Sequence, residues 1–380
     1  MNLKMNVKIK AKIKIAYVLP SLDKGGAERF LIDLILNLDK EIFDPVLVLF
    51  KRGGEWEQEL AAQNIPVVIF HKKWKIDLLN FWQLLNFLKK FQPQIIHTQL
   101  GGDIYGRLAA KLLKTPVIIT TEQNVNPDET WYYNLAKKIT ARWADKIVAI
   151  SRAVKKDTLN RYQTPEDKII IIPNGVKIET FISSDLNSAT KNNSEESRPF
   201  LIGTIGRLSP QKGQTVLIEA LTRLKTPNFR CLIASDGELR DKLTEQIKTS
   251  GLENKVELVG YVNATVFLNS LDIFVLPSLW EGLGIVLLEA GLCGRPVIAS
   301  AVDGITDIID KDTGWLVAPG DAQDLTEKID WLLNNLGTPE VNLKVKNLRA
   351  KVIAEFDIKK VAADYQALYH DLLKAKLIIK

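Results

Sequence analysis

The chain has 380 residues, 46% hydrophobic and 25% charged, which is room for two cores in an ordinary globular composition, so two domains are expected. No run approaches the roughly 20 uninterrupted apolar residues of a membrane span, and the N-terminus alternates Lys with apolar residues where a secretory signal carries an unbroken hydrophobic block, so a cytoplasmic protein is expected. The net charge of +6 suits an anionic partner, while Cys231 and Cys293, alone and in segments that read as a strand and a helix end, argue against a disulfide framework or a cysteine metal site.

In chain order, Lys4, Lys8, Lys10, Lys12 and Lys14 come first, before and within the first strand. A solvated tail is the plain reading, and contact with anionic headgroups at the inner membrane face is the functional one. Short runs rich in Ile, Val and Leu then alternate with amphipathic stretches, the pattern of parallel strands and covering helices. Strands are predicted at 13–19, 45–50, 67–70, 94–97, 117–121, 146–150 and 168–172, with helices such as 27–38, 78–91 and 105–113 between them. Residues 183–199, rich in Ser, Asn and Glu, read as a linker. Strands resume at 200–205, 230–234, 256–259, 273–276 and 296–299, and 358–379 carries Val361, Tyr365, Leu368 and Leu372 at helical spacing. The fold class is α/β, with two doubly wound Rossmann-like units spanning 1–182 and 200–357.

Three strand-to-helix junctions carry chemistry. Pro277 to Gly284 follows an apolar strand and precedes a helix, where glycines let backbone amides approach an anion at the helix start. Glu281 and Glu289 are eight apart, about two turns if the helix is continuous, so both would face one cleft; taken singly, each also fits a solvated surface residue. Gly206 to Gly213 places Arg207 and Lys212 at a strand's C-terminal end, where open α/β sheets bind ligands, and both cations can reach one diphosphate. Pro20 to Glu28, with Gly25 and Gly26, is a third phosphate-friendly turn. It has neither the G-x-G-x-x-G nor the P-loop pattern, so a nicotinamide-dependent dehydrogenase or P-loop ATPase is not supported.

Four motifs in order, Gly25-Gly26-Ala27-Glu28, Pro173-Asn174-Gly175-Val176, Gly206-Arg207 with Lys212-Gly213, and Glu281 through Glu289 to Gly294-Arg295-Pro296-Val297, resemble glycosyltransferase family 4. The resemblance runs from about Ile13 to about Leu333 and implies the GT-B fold, two Rossmann-like domains facing a cleft, with helix 358–380 packing back on the first domain. It implies that Arg207 and Lys212 grip a donor diphosphate and that Glu281 with the amides of Gly282, Leu283 and Gly284 cradles sugar and phosphate. It also implies that Glu289 accepts from the ribose, that Gly237, Glu238, Tyr261 and Val262 surround the base, and that Gly25, Gly26 and Asn174 contact the donor from the first-domain side.

Two positions depart from the family pattern: Gln123 stands where many members carry His, and Lys177 where Asp is usual. His97, at a strand end, is a further candidate for acceptor or sugar contact alongside Gln123. The resemblance implies a retaining transfer from a nucleotide-diphosphate sugar, UDP rather than GDP, to a glycan or lipid-linked acceptor in polysaccharide biosynthesis. No protein nucleophile, metal, other cofactor or nucleic-acid partner is expected. A sugar-nucleotide epimerase of similar fold and a non-catalytic sugar-nucleotide binding protein are the alternatives.

Overall fold

A computed structural model describes residues 12–23, 25–71, 77–125, 129–182 and 198–378. The apolar runs become strands buried on both faces, an arrangement stable only where helices cover both sides. In the first half β1 (Ile13–Ser21), β2 (Phe43–Arg52), β3 (Val67–Ile69), β4 (Ile95–Gln99), β5 (Val117–Glu122), β6 (Lys146–Ala149) and β7 (Ile169–Ile171) form a seven-stranded sheet ordered β3-β2-β1-β4-β5-β6-β7. In the second half β8 (Phe200–Ile205), β9 (Phe229–Ala234), β10 (Val256–Gly260), β11 (Ile273–Leu276), β12 (Val297–Ser300) and β13 (Trp315–Val317) form a six-stranded sheet ordered β10-β9-β8-β11-β12-β13. The strand pairings in both are parallel. β13 has no counterpart among the predicted strands. Three residues show no periodicity, and only their pairing with β12, from Trp315 beside Ile298 to Val317 beside Ser300, defines it.

Helices α1 (Gly26–Leu36), α2 (Glu57–Ala62), α3 (Leu78–Phe91), α4 (Asp103–Leu112), α5 (Trp131–Ala141), α6 (Arg152–Tyr162) and α7 (Ile178–Ile182) accompany the first sheet. The second is accompanied by α8 (Gln214–Leu221), α9 (Arg240–Thr249), α10 (Ala264–Ser270), α11 (Ile285–Leu292), α12 (Ala322–Asn335) and α13 (Pro339–Glu355). One face of the first sheet packs on Leu84 and Leu88 of α3 and Ala109 and Ala110 of α4. The other packs on Phe30 and Leu31 of α1 and on Val361, Tyr365 and Tyr369 of α14 (Ile358–Ile378), so the last helix completes the first domain's core.

The chain returns to that domain beside Val176, whose amide donates to the Phe356 carbonyl at 2.8 Å while the Ile358 amide donates to the Val176 carbonyl at 3.1 Å. A methyl added to Gly175 would lie 2.8 Å from Ile358 Cα, which accounts for the glycine in that motif. Residues 183–197 of the expected linker lie outside the described residues, as do Lys4, Lys8, Lys10 and Lys24. Arg198 forks onto Asp272 at 2.6 and 2.7 Å.

Candidate active site

In each sheet the strand order reverses beside its first strand, between β1 and β4 and between β8 and β11. Loops that leave strands on opposite sides of such a reversal splay apart and open a crevice. The β8–α8 and β11–α11 loops are tied together across theirs: the Leu279 amide donates to the Gln211 carbonyl at 2.7 Å and Gln211 Nε2 donates to the Trp280 carbonyl at 3.1 Å. Lys212 Nζ therefore meets Glu281 Oε1 at 2.5 Å, and Ser278 Oγ donates to the same oxygen at 2.8 Å. Gly206 supports the lysine stem, since a methyl there would lie 3.2 Å from Lys212 Cδ. Gln214, fully buried, donates to the carbonyls of Gly206 and Arg207 at 3.1 and 3.0 Å and holds the loop in shape, a role no sequence pattern marked.

Arg207 does not join this pair. Its Nε lies 3.2 Å from Glu238 Oε2, and its side chain is 74% exposed. The Glu238 loop is held by backbone bonds from Leu208 to the Asp236 carbonyl and from Leu239 to the Leu208 carbonyl, and a methyl on Gly237 would strike the Leu208 carbonyl at 2.4 Å. Tyr261 and Val262 stand exposed on the neighbouring loop, which the Ser235 amide joins at Gly260.

Glycines cap the helices that open here. Gly25 before α1, Gly213 before α8 and Gly284 before α11 bring no capping side chain of their own, whereas Asp77, Ser151 and Asn263 cap α3, α6 and α10 with their side chains. Uncapped first turns offer donors and a positive dipole end to an anion. Gly213 and Gly284 have φ of +63° and +73°, a region open to glycine at little cost. Helix α11 starts only at Ile285, so the continuous-helix spacing expected for Glu281 and Glu289 does not hold: Glu281 turns in from the loop and Glu289 projects from the helix. Leu283 buries its side chain in the core.

The domains meet at close quarters. A methyl on Gly26 would lie 3.2 Å from Ile285 Cδ1, and one on Gly282 would lie 2.4 Å from the Gln123 carbonyl oxygen. Glu289 thus faces the first domain, where burial, and secondarily the Asp33 carboxylate, raises its pKa to about 7. Asp33 is held by Arg29, which also reaches Glu59 at 2.6 Å, and Lys177 adds positive charge beside both carboxylates. Glu28 is likewise raised to about 7, chiefly by burial. Sequence reading missed Asp33, because nothing in a helical stretch announces what will face it across a cleft.

Two expected contacts change character. His97 is 1% exposed, with Nδ1 at 2.7 Å from Tyr369 Oη and Nε2 at 2.7 Å from Thr121 Oγ1, and burial lowers its pKa to about 3. It sits in the core under α14 with both ring nitrogens occupied by protein partners, which leaves it no free group for the sugar contact expected of it. Gln123 and Asn174 are also buried and bond each other, Asn174 Nδ2 to Gln123 Oε1 at 2.7 Å, while the Gln123 carbonyl faces Gly282. Behind Gln123, burial alone would raise the Glu122 carboxyl. Lys137, Arg107 and the Tyr162 hydroxyl at 2.8 Å outweigh that and keep it ionised, anchoring the strand end.

A family model described as Glycosyltransferase Family 4 matches residues 24–180, and one described as Glycosyl transferases group 1 matches residues 187–347. The amylovoran biosynthesis glycosyltransferase AmsK of Erwinia amylovora is 32% identical over 368 residues, covering 90% of this chain and 82% of that protein. The chain belongs to glycosyltransferase family 4. A relative of this glycosyltransferase in Escherichia coli, named UDP-Gal:alpha-D-GlcNAc-diphosphoundecaprenol alpha-1,3-galactosyltransferase, is 28% identical over 96% of this chain and 99% of its own. Among solved structures, a glycosyltransferase from Rickettsia africae superposes with TM-score 0.80 at 26% identity, over 96% of this chain and all of that one. Anabaena HepE in complex with UDP and glucose superposes with TM-score 0.84 at 22% identity, over 94% of this chain and all of that one.

The fold of the glycosyltransferase is therefore GT-B, and the protein is an enzyme. Between its domains, beside Glu281, lies a cavity of about 380 Å³ lined by Val125, Lys156 and Asn160 from the first and Trp280, Val302 and Asp303 from the second. Among the described residues no three His, Cys, Asp or Glu side chains are arranged to hold a metal ion, and no helix is long and apolar enough to cross a membrane.

Proposed function

We propose that the enzyme transfers a hexose from a UDP-sugar to a glycan or lipid-linked acceptor, with retention of anomeric configuration and without a metal ion. The observation that carries this reading is the Lys212–Glu281 pair lying between glycine-capped helix starts. As the sugar–phosphate bond breaks, negative charge grows on the diphosphate while the sugar becomes cation-like, and fixed donors at the phosphate stabilise that change. Lys212, released from Glu281 onto the diphosphate, and the first-turn amides of α8 and α11 supply those donors. Two unit charges ~4 Å apart at an effective dielectric near 20 interact by about 4 kcal/mol, enough to serve where a divalent ion otherwise would.

Glu281, freed by the same exchange, accepts hydroxyls of the hexose, and Glu289 accepts those of the ribose. Arg207 swings from Glu238 to the outer phosphate. The acceptor enters the interdomain cavity, where Trp280 offers an aromatic face and Asn160, Lys156 and Asp303 offer polar groups to a sugar. The names of relatives support the donor and acceptor classes: HepE was crystallised with UDP-glucose, and the E. coli relative is named for a UDP-galactose donor and a diphosphoundecaprenol-linked acceptor. Retention rests on the family resemblance, and a cytoplasmic location, peripheral at the inner membrane face, rests on the hydropathy pattern and the lysines at 4, 8, 10, 12 and 14.

A donor panel tests the proposal. UDP-hexoses should raise the melting temperature more than GDP-hexoses, and incubation with acceptor in EDTA should yield a product whose anomeric proton has the donor's configuration by NMR. An inverted product, a requirement for Mn²⁺ or Mg²⁺, or free sugar formed without any acceptor would each reject it in part or whole.

A further inference from the structure

We propose that a cavity between α13 and the N-terminal ends of β11 and β12 is a second anion site, which takes a phosphate monoester with an apolar body. Its volume of about 400 Å³ suits a small ligand rather than a chain segment. Asp272 leads into β11 and Pro296 into β12, and both line the cavity, whereas the loops of the cleft leave the opposite ends of these parallel strands. Helix α11 runs from one site to the other, starting at Ile285 beside the cleft and ending at Leu292, just before Arg295 in the cavity wall. The other wall is a single stripe of α13, where Asn342, Val345, Lys346 and Arg349 recur at helical spacing. That stripe is held close to α11, since a methyl on Gly291 would lie 2.7 Å from Leu348 Cγ.

Three cations converge on this cavity. Arg295 is 8% exposed. Its Nε donates to the Cys293 carbonyl at 3.0 Å and its Nη1 to the Leu271 carbonyl at 2.7 Å, which fixes the guanidinium and leaves Nη2 without a partner among the described residues. On α13, Lys344 and Lys351 are paired with Glu340 and Asp310, but among the described residues Lys346 and Arg349, a turn apart, pair with no carboxylate and repel each other. The carboxylate in the wall, Asp272, is already bonded to the Arg198 fork and to the Leu201 amide at 2.8 Å. Burial holds the Arg295 guanidinium below its usual range even with Asp272 nearby, so an anion seated against it would favour the charged form again. A phosphate monoester carries close to two charges above pH 7 and matches a planar fork beside a point charge. Pro296, Val341 and Val345 supply an apolar wall for the rest of the ligand. The site does not depend on the reaction proposed above.

Calorimetric titration of the full chain with phenyl phosphate tests it, with benzoate and inorganic phosphate as comparators. Phenyl phosphate should bind more tightly than either, because benzoate brings one charge and inorganic phosphate no apolar body, and added salt should weaken it. Lys346→Gln with Arg349→Gln should weaken binding at least about tenfold, while the melting temperature holds or rises as the repulsion on α13 is relieved. Val345→Glu, which sets a carboxylate in the cavity, should abolish binding. Should the paired variant not fold, Lys346→Gln alone, at an exposed position, should still weaken binding. Lys212→Ala should bind phenyl phosphate as the wild type does, which separates this cavity from the donor diphosphate site. Three results would overturn the proposal: no binding of phenyl phosphate, binding lost in Lys212→Ala but kept in the α13 variants, or benzoate or inorganic phosphate binding as tightly as phenyl phosphate.

Discussion

Lys212 and Glu281 are each half of a compensated charge. Glu281 is buried, so removing Lys212 strips a buried carboxylate of its cation as well as the diphosphate of its donor. Lys212→Ala should lower turnover on the order of 10²-fold, read by steady-state kinetics; wild-type turnover would remove the lysine from the mechanism. Glu289 behaves differently, because nothing positive offsets its burial. Its pKa rises from the ordinary 4.5 to about 7, so the carboxyl favours the folded state only while protonated, and that contribution fades as pH climbs through this window. Glu289→Gln should therefore melt higher than wild type near pH 8 and alike near about pH 4.5. UDP binding should strengthen in wild type as the carboxylate ionises, over and above any change that the Gln variant shows. Equal pH profiles for the two proteins would show that residue 289 is not the titrating group. These side chains could be picked out from the motifs around them, but the upward shift of Glu289 could not, since it arises from burial in the folded protein and, secondarily, from Asp33.

Loops and helix starts set how closely the halves approach. Of the two glycines at the interface, Gly26 and Gly282, the second is the tighter, with no room for a Cβ against the Gln123 carbonyl. Gly282→Ala should push the domains apart, visible as a larger radius of gyration in small-angle X-ray scattering, and lower turnover on the order of 10²-fold by misplacing Glu281. An unchanged scattering profile would mean that the loop yields locally. The glycines at 206, 213, 237, 282 and 284 were legible as a sign of close backbone approach, yet the partner each one approaches was not. Most turn out to meet protein backbone or the lysine stem, so the motif records how the loops are built as much as what they bind.

Across the molecule, α14 locks the first domain through a buried polar chain: Tyr17 to Tyr369 at 3.0 Å, Tyr369 to His97, His97 to Thr121, and Thr121 to Tyr365 at 3.2 Å. Tyr369→Phe breaks two links of it and leaves buried partners unmatched, which should cost about 1–3 kcal/mol in denaturant unfolding while leaving UDP affinity unchanged. A change in affinity without a change in stability would return His97 to the site. Local apolar period and glycine placement were enough to establish two parallel α/β units, most of their strands and the loops that carry the chemistry, because a strand buried on both faces and a helix start without a side-chain cap leave their mark in adjacent residues. Whether His97 faced cleft or core, what stood opposite Glu289, and whether Arg207 joined Lys212 were decided by packing alone. Those outcomes depend on partners as much as 272 residues away, brought together by the order of the strands and the return of the last helix, and no local pattern encodes them.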